Sequence, residues 1–259
     1  MMDAVAIRGR GVAPPAPDDL EDRFPGRWNA RRPFHDEARS AIAAIEQAMR
    51  HAGWLTALPV VGGLVVGCDL AGLEPARRLA RALRADAPGP LSPSDFLYAL
   101  PSSIAATAGV ALGLADYQAT YVEGGLAGIH AAHHAAELVA TGRAKRMVAV
   151  AVTRVGGDAA GWLGALDTTL AVAWCLDLEA GHGVPEIRLD DALPDREAAS
   201  EAVLLDLAPA VRDRAAPGLL ALDRLLDGPA STVRVVHHDR VLGGTIAMTV
   251  RIHPRIRPL

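Results

Sequence analysis

The chain has 259 residues, enough for one large domain or two small ones, and half of them are hydrophobic, which argues for a packed core rather than disorder. Aromatics make up only 4 %, so that core is aliphatic, and a formal net charge of −4 argues against a general nucleic-acid binder. Two cysteines, Cys68 and Cys175, lie in apolar strand-like runs and provide neither a disulfide framework nor paired metal spacing; a reducing cytoplasm is the expectation.

Val5-Ala6-Ile7 reads as a short strand closed by glycines, and a Pro/Asp-rich loop follows from Pro14 to Pro25. Over 35–52 the apolar positions Ala38, Ile42, Ile45 and Met49 recur at helical spacing, with Gly53 as the stop. Val60 to Cys68 reads as a buried strand, and Pro75 opens a helix through ARRLARALRA. The most apolar stretch, WLTALPVVGGLVVGC, is too short and too broken by Pro59 and Gly62-Gly63 to span a bilayer, and no N-terminal signal pattern is visible, so no membrane association is expected.

LSPSDFLYALPSSIAATAGVALGL contains a second helix, capped by Ser102 or Ser103 and ending at Gly113. Ala119 to Val122 is extended, a glycine turn follows, and Ile129 to Thr141 is helical with Gly142 at its C′ position. Met147–Thr153 and Leu170–Leu178 read as buried strands. After about residue 185 a charged linker leads into one helix, SEAVLLDLAPAVRD, and another apolar segment, GLLALDRLL. Two strands close the chain, TVRVV and TIAMTVRI, on either side of a turn, HHDRVLGG. Strand and helix alternate through the first part, the pattern of a layered α/β domain.

The order VAIRGRGV, GLVVGC, LSPSDF…AATAGVALGL and TYVEGGLAGIHAAHHAAELVATGRAKRMVAVAV resembles the N-terminal half of β-ketoacyl synthases, which have the thiolase fold. In those enzymes the strand-to-helix elbow carries Thr-Ala-Cys-Ser-Ser/Thr-Gly or a close variant. Laid on without gaps from Gly113-Leu114 to Gly142, that pattern places Glu123, Gly124, Gly125, Leu126, Ala127 and Gly128 at those positions. Gly128 is kept, whereas the cysteine position is Gly125. Gly243-Gly244-Thr245-Ile246-Ala247 resembles the family's last turn, with Ile246 in place of a polar residue. The family's two histidine motifs have no counterpart between 185 and 240, and His237-His238-Asp239 lacks their context.

The resemblance implies an α/β fold, a thiolase-like layered sandwich (α-β-α-β-α) with a complete N-terminal half over 1–184 and an abbreviated C-terminal portion, 185–259, completing the same domain. Claisen condensation needs a thiolate to carry the acyl chain and imidazole donors for the enolate. A chain with neither resembles the chain length factors, partners of active ketosynthases that shape the acyl tunnel. The short kind occurs in systems making polyene-type products, including aryl polyenes. The resemblance therefore implies no catalysis by this chain alone and no cofactor. It implies pairing with a cysteine-bearing ketosynthase, as a heterodimer or heterotetramer, and indirect contact with an acyl carrier protein.

On the same resemblance, Phe96, Leu100, Ile104 and Tyr121 are tunnel or interface candidates, with plain core packing the alternative for each. Glu123 is either a buried acid pairing across an interface or a solvated turn residue; cysteine-lacking relatives with Gln or Glu nearby have been considered as decarboxylases. His130 and His134 stand at i and i+4, a spacing that can ligate zinc, but no third ligand follows and surface or interface positions are expected for them and for His133. The cations Arg143, Lys145 and Arg146, with Arg77 and Arg78, are either solvated charges or a face for an acidic carrier protein. The remaining alternatives are a stand-alone acyl- or carrier-binding module and a weak decarboxylase using Glu123.

Overall fold

A computed structural model describes residues 4–13, 35–56, 62–69, 71–84, 91–114, 116–123, 126–155, 168–179, 184–189, 219, 223, 232–238 and 245–251. The strands are β1 (Val5–Ala13), β2 (Gly63–Cys68), β3 (Gln118–Val122), β4 (Arg146–Val155), β5 (Thr168–Asp177), β6 (Glu186–Leu189), β7 (Thr232–His238) and β8 (Thr245–Arg251). The helices are α1 (Asp36–His51), α2 (Leu73–Arg84), α3 (Pro93–Tyr98), α4 (Ser103–Leu112) and α5 (Ala127–Ala140). No helix of the described residues is long and apolar enough to cross a membrane.

The strands form one sheet in the order β3-β2-β4-β5-β1-β6-β8-β7. β3, β2 and β4 run parallel, and the other pairings are antiparallel. β6, from the portion after residue 184, bonds to β1, so the last three strands extend the edge of the first five.

Period-2 alternation divides the core between the two faces of this sheet. Val148, Val150 and Val152 of β4 face α1 and α4, together with Leu64, Val66 and Cys68 of β2. Met147, Ala149 and Ala151 face α5, together with Val65, Val172 and Trp174. Helix α5 touches every strand from β1 to β6, so the sheet curls round it. Its alanines, Ile129, Leu138 and Val139 are buried on nearly all sides, as the resemblance requires. Helix α1 buries Ala38, Ile42, Ile45 and Met49, the four positions whose spacing predicts it.

Several elements differ from the sequence reading. β1 is nine residues long, because a bulge between Ile7 and Gly9 turns the strand over and lets it continue. Val5 and Ile7 face α5, while Gly9, Gly11 and Ala13 face α1. A Cβ on Gly9 would lie 2.7 Å from the Ala52 nitrogen and one on Gly11 2.8 Å from the Ala48 nitrogen, so both glycines let α1 approach the strand backbone.

The segment after residue 90 holds two helices where one is expected. The additional one, α3, starts at Ser92, whose Oγ accepts from the Asp95 N–H at 3.2 Å, with Pro93 at its first position. Ser102 precedes α4 without a side-chain capping bond, and Gly113 ends it at φ 72°. His237 and His238 belong to β7 rather than to the expected turn, because their backbones pair with Ile246 and Thr245. Asp239, Gly243 and Gly244 lie outside the described residues, as does SEAVLLDLAPAVRD. Leu219 and Asp223, from GLLALDRLL, are helical and buried.

Candidate functional site

In open parallel sheets ligands meet the carboxyl ends of the strands. Here those ends carry Cys68-Asp69 after β2, Glu123 after β3 and Thr153-Arg154 on β4. The amino terminus of α5 is brought against them by Gly67, where a Cβ would stand 2.6 Å from the Gly128 nitrogen. Gly67 and Gly128 thus leave room for strand and helix to touch at backbone distance. Gly124 and Gly125, the elbow tip, lie outside the described residues between Glu123 and Leu126.

At the end of β3 a carboxylate and an imidazole meet. Glu123 pairs with Nδ1 of His130, which is 6 % exposed; Glu123 keeps about a third of its side chain in contact with solvent. His130 is therefore buried, not on the surface, since one turn into α5 its ring lies beneath the β3–α5 contact. The Tyr121 ring stands edge-on to both His130 and His134, at centroid distances of 6.0 and 5.8 Å. His134 Nε2 shares a 2.8 Å hydrogen bond with the Tyr117 hydroxyl, and its Nδ1 lies 3.5 Å from Glu137. The two histidines are thus separately engaged and do not converge on one ligand position. Burial raises the Tyr121 pKa, with Tyr117 and Glu137 adding to it, and burial lowers that of His133 against the pull of Glu137.

A second polar cluster covers the other face of the same strand ends. Glu37, buried at the start of α1, pairs with His35 and with Arg154 at 3.4 Å, and Arg154 also reaches Asp36 at 2.7 Å. Burial pushes the Glu37 carboxyl up, but the His35 hydrogen bond and charge, with Arg154, outweigh it and hold its pKa below the usual range. Thr153 donates to Asp69 at 3.4 Å, and the His35 ring stacks on Tyr98 at 5.3 Å. None of these residues carries a motif; Glu37 and Arg154 are 117 positions apart, and only the fold joins them.

Cys68 is the thiol nearest this end of the sheet, with Sγ 3.7 Å from the Tyr121 carbonyl oxygen. Burial, aided by Asp69 and Glu37, pushes its pKa up to about 12, and burial raises that of Cys175 well above the ordinary range. A cysteine attacks as its thiolate, so Cys68 is not set up as a nucleophile. Neither cysteine is expected to react with a disulfide reagent near pH ~8 in the folded protein, and both should react once it is denatured. A thiol titrating rapidly before denaturation would contradict this.

The tunnel candidates do not gather into one wall within this chain. Phe96 is 69 % exposed and Leu100 51 %, Ile104 is buried on the α1 side, and Tyr121 is half-buried on the α5 side. Of the basic residues, Arg78 is engaged by Asp95 at 2.6 Å, Arg146 lies 5.1 Å over the Trp54 ring, and Arg143 and Lys145 are exposed.

No protein-family model matches the sequence, and no curated protein matches it. Solved structures do match in fold. One, described as a type II PKS acyl-carrier protein in complex with its ketosynthase bound to the hexaketide, aligns with TM-score 0.67 and 14 % identity over 97 % of this chain and 99 % of that one. The ishigamide ketosynthase/chain length factor aligns with TM-score 0.63 and 14 % identity over the same shares, 97 % and 99 %. A β-ketoacyl synthase from Burkholderia phymatum STM815 gives TM-score 0.57 and 16 % identity over 88 % of this chain and 72 % of that one. The chain has the mixed α/β, thiolase-like fold of the ketosynthases.

Proposed function

We propose that this chain is a non-catalytic subunit of the chain-length-factor kind, which pairs with a cysteine-bearing ketosynthase and shapes its acyl tunnel during polyketide or fatty-acid elongation, with polyene-type products as the intended class. The observation that carries the reading is the elbow itself. Strand β3 and the buried helix α5 stand on either side of the elbow sequence, yet glycine occupies the position that the resemblance gives to the acyl-bearing cysteine. A glycine has no atom on which to hold a thioester, and the only thiol nearby is kept protonated.

Two surface features support a partner. β3 ends the sheet and has only β2 beside it among the described residues, so its outer backbone edge is a template for another strand. Phe96, Leu97 and Leu100 project exposed apolar surface of the kind that partners cover. Similarity to a structure described as a ketosynthase/chain length factor fits the same reading, as does one whose ketosynthase is bound to an acyl-carrier protein.

The Glu123–His130 pair favours a second reading, because a carboxylate beside an imidazole is the arrangement of a general base and would suit decarboxylation of a carrier-bound malonyl group. One assay separates the two. With malonyl-loaded carrier, the isolated chain is expected to release no carbon dioxide, and condensation should appear only when a cysteine-bearing ketosynthase is added. Glu123→Gln should leave that condensation rate within about twofold, since Glu123 touches no reacting group in this account. Turnover by the isolated chain that Glu123→Gln abolishes would replace the subunit reading with the enzymatic one.

A further inference from the structure

At the opposite end of the sheet from Glu123, a cleft of about 290 Å³ opens where the turn after α5 meets the residue run leading into β3. Arg143 and Lys145 line it from the turn and Arg146 from the start of β4, and Asp116 is the one carboxylate among the described residues of its wall. The excess of two positive charges stands on a chain whose net charge is −4. From these observations we infer that the cleft is an anion site for a small phosphate monoester.

The cations are not accounted for by their position alone. One cation suffices to complement the carboxyl-terminal dipole of α5, yet two, Arg143 and Lys145, stand here beside Arg146, whose guanidinium lies over Trp54. Arg143 and Lys145 are exposed and make no hydrogen bond or ion pair among the described residues, so their donors point to solvent instead of to a carboxylate. Arg146 is held in place by its stacking over Trp54. The turn that carries them is fixed by its own backbone: the Gly142 N–H donates to the Val139 carbonyl at 3.0 Å and the Ala144 N–H to that of Leu138 at 3.0 Å, with Gly142 at φ 69°. The backbone positions from which the Arg143 and Lys145 side chains extend are therefore fixed.

The charge and the floor define the ligand. A phosphate monoester carries about −1.5 to −2 near neutral pH and matches the excess charge, whereas a single carboxylate does not. Guanidinium groups present paired donors to phosphate oxygens. Leu138 and the Tyr117 ring supply an apolar wall for the ester's organic part, and the bond from Tyr117 to His134 holds that ring in place. The volume is at the small end of ligand pockets, which suits a compact phosphoester.

The site is independent of the subunit reading above, and its test uses the protein in its native assembly. Titration with inorganic phosphate, phenyl phosphate and acetate, followed calorimetrically, is expected to show saturable binding of both phosphates, tighter for the phenyl ester, and none of acetate. The double variant Arg143→Gln, Lys145→Gln should weaken phenyl phosphate binding by roughly tenfold or more. Its melting temperature should not change, because both side chains are exposed. Failure of phenyl phosphate to bind, equal binding of acetate, or unchanged affinity in the double variant each overturns the inference.

Discussion

Gly67→Val is expected to cost about 3 kcal/mol of stability or more and to unseat the elbow helix. Gly67 lies in β2 between Tyr121 of β3 and Ala151 of β4, on the face that packs against α5. A Cβ there would fall inside the van der Waals shell of the Ala127 carbonyl and stand 2.6 Å from the Gly128 nitrogen. These are backbone atoms in the first turn of α5, so no side-chain rotation relieves the clash and the whole helix must move. The control is Gly142→Asn: Gly142 has a left-handed φ of 69° with nothing within 4 Å, and asparagine tolerates that conformation, so only a few tenths of a kcal/mol should be lost. Urea denaturation reads both. An unchanged midpoint for Gly67→Val would mean that β2 and α5 do not meet at backbone distance.

Trp174→Ala is expected to cost about 3–5 kcal/mol. Trp174 is fully buried in β5, and its indole N–H donates to Asp223 at 2.8 Å. Asp223 is itself buried and also lies 3.6 Å from Arg10 of β1, so one carboxylate bridges two strands of the sheet. Truncation removes one of the largest side chains of the described core and takes a donor from that carboxylate. Trp174→Phe keeps most of the volume and removes the N–H alone, for which about 1–3 kcal/mol is expected. If Trp174→Phe costs nothing while Trp174→Ala costs the full amount, packing rather than the Asp223 bond accounts for the loss.

The elements that the sequence reading placed well are those with a strong local pattern. Ala38, Ile42, Ile45 and Met49 define α1, the continuous apolar run MVAVAVT defines β4, and Gly142 marks the end of α5. β1 is longer than its apolar letters suggest because a bulge and two close-packed glycines carry it past Arg8 and Arg10, which reach Asp177 and Asp223. His130, expected at a surface or interface, is buried, and its partner Glu123 lies outside α5, so no helical spacing announces the pair. The buried pair of Glu37 and Arg154 and the bond from Trp174 to Asp223 connect residues far apart in sequence, so no window of the chain contains them. Phe96 and Leu100, expected at a tunnel or interface, stand on the surface of this chain.

The structure and the missing nucleophile meet in one claim, that the chain works as half of a pair. Purification of the tagged protein from its native cells, with the mass of the intact assembly and the identity of each subunit measured, tests it most directly. The account predicts equal numbers of this chain and a ketosynthase that has cysteine at its elbow. A stable assembly of this chain alone, with no ketosynthase in it, would contradict the account.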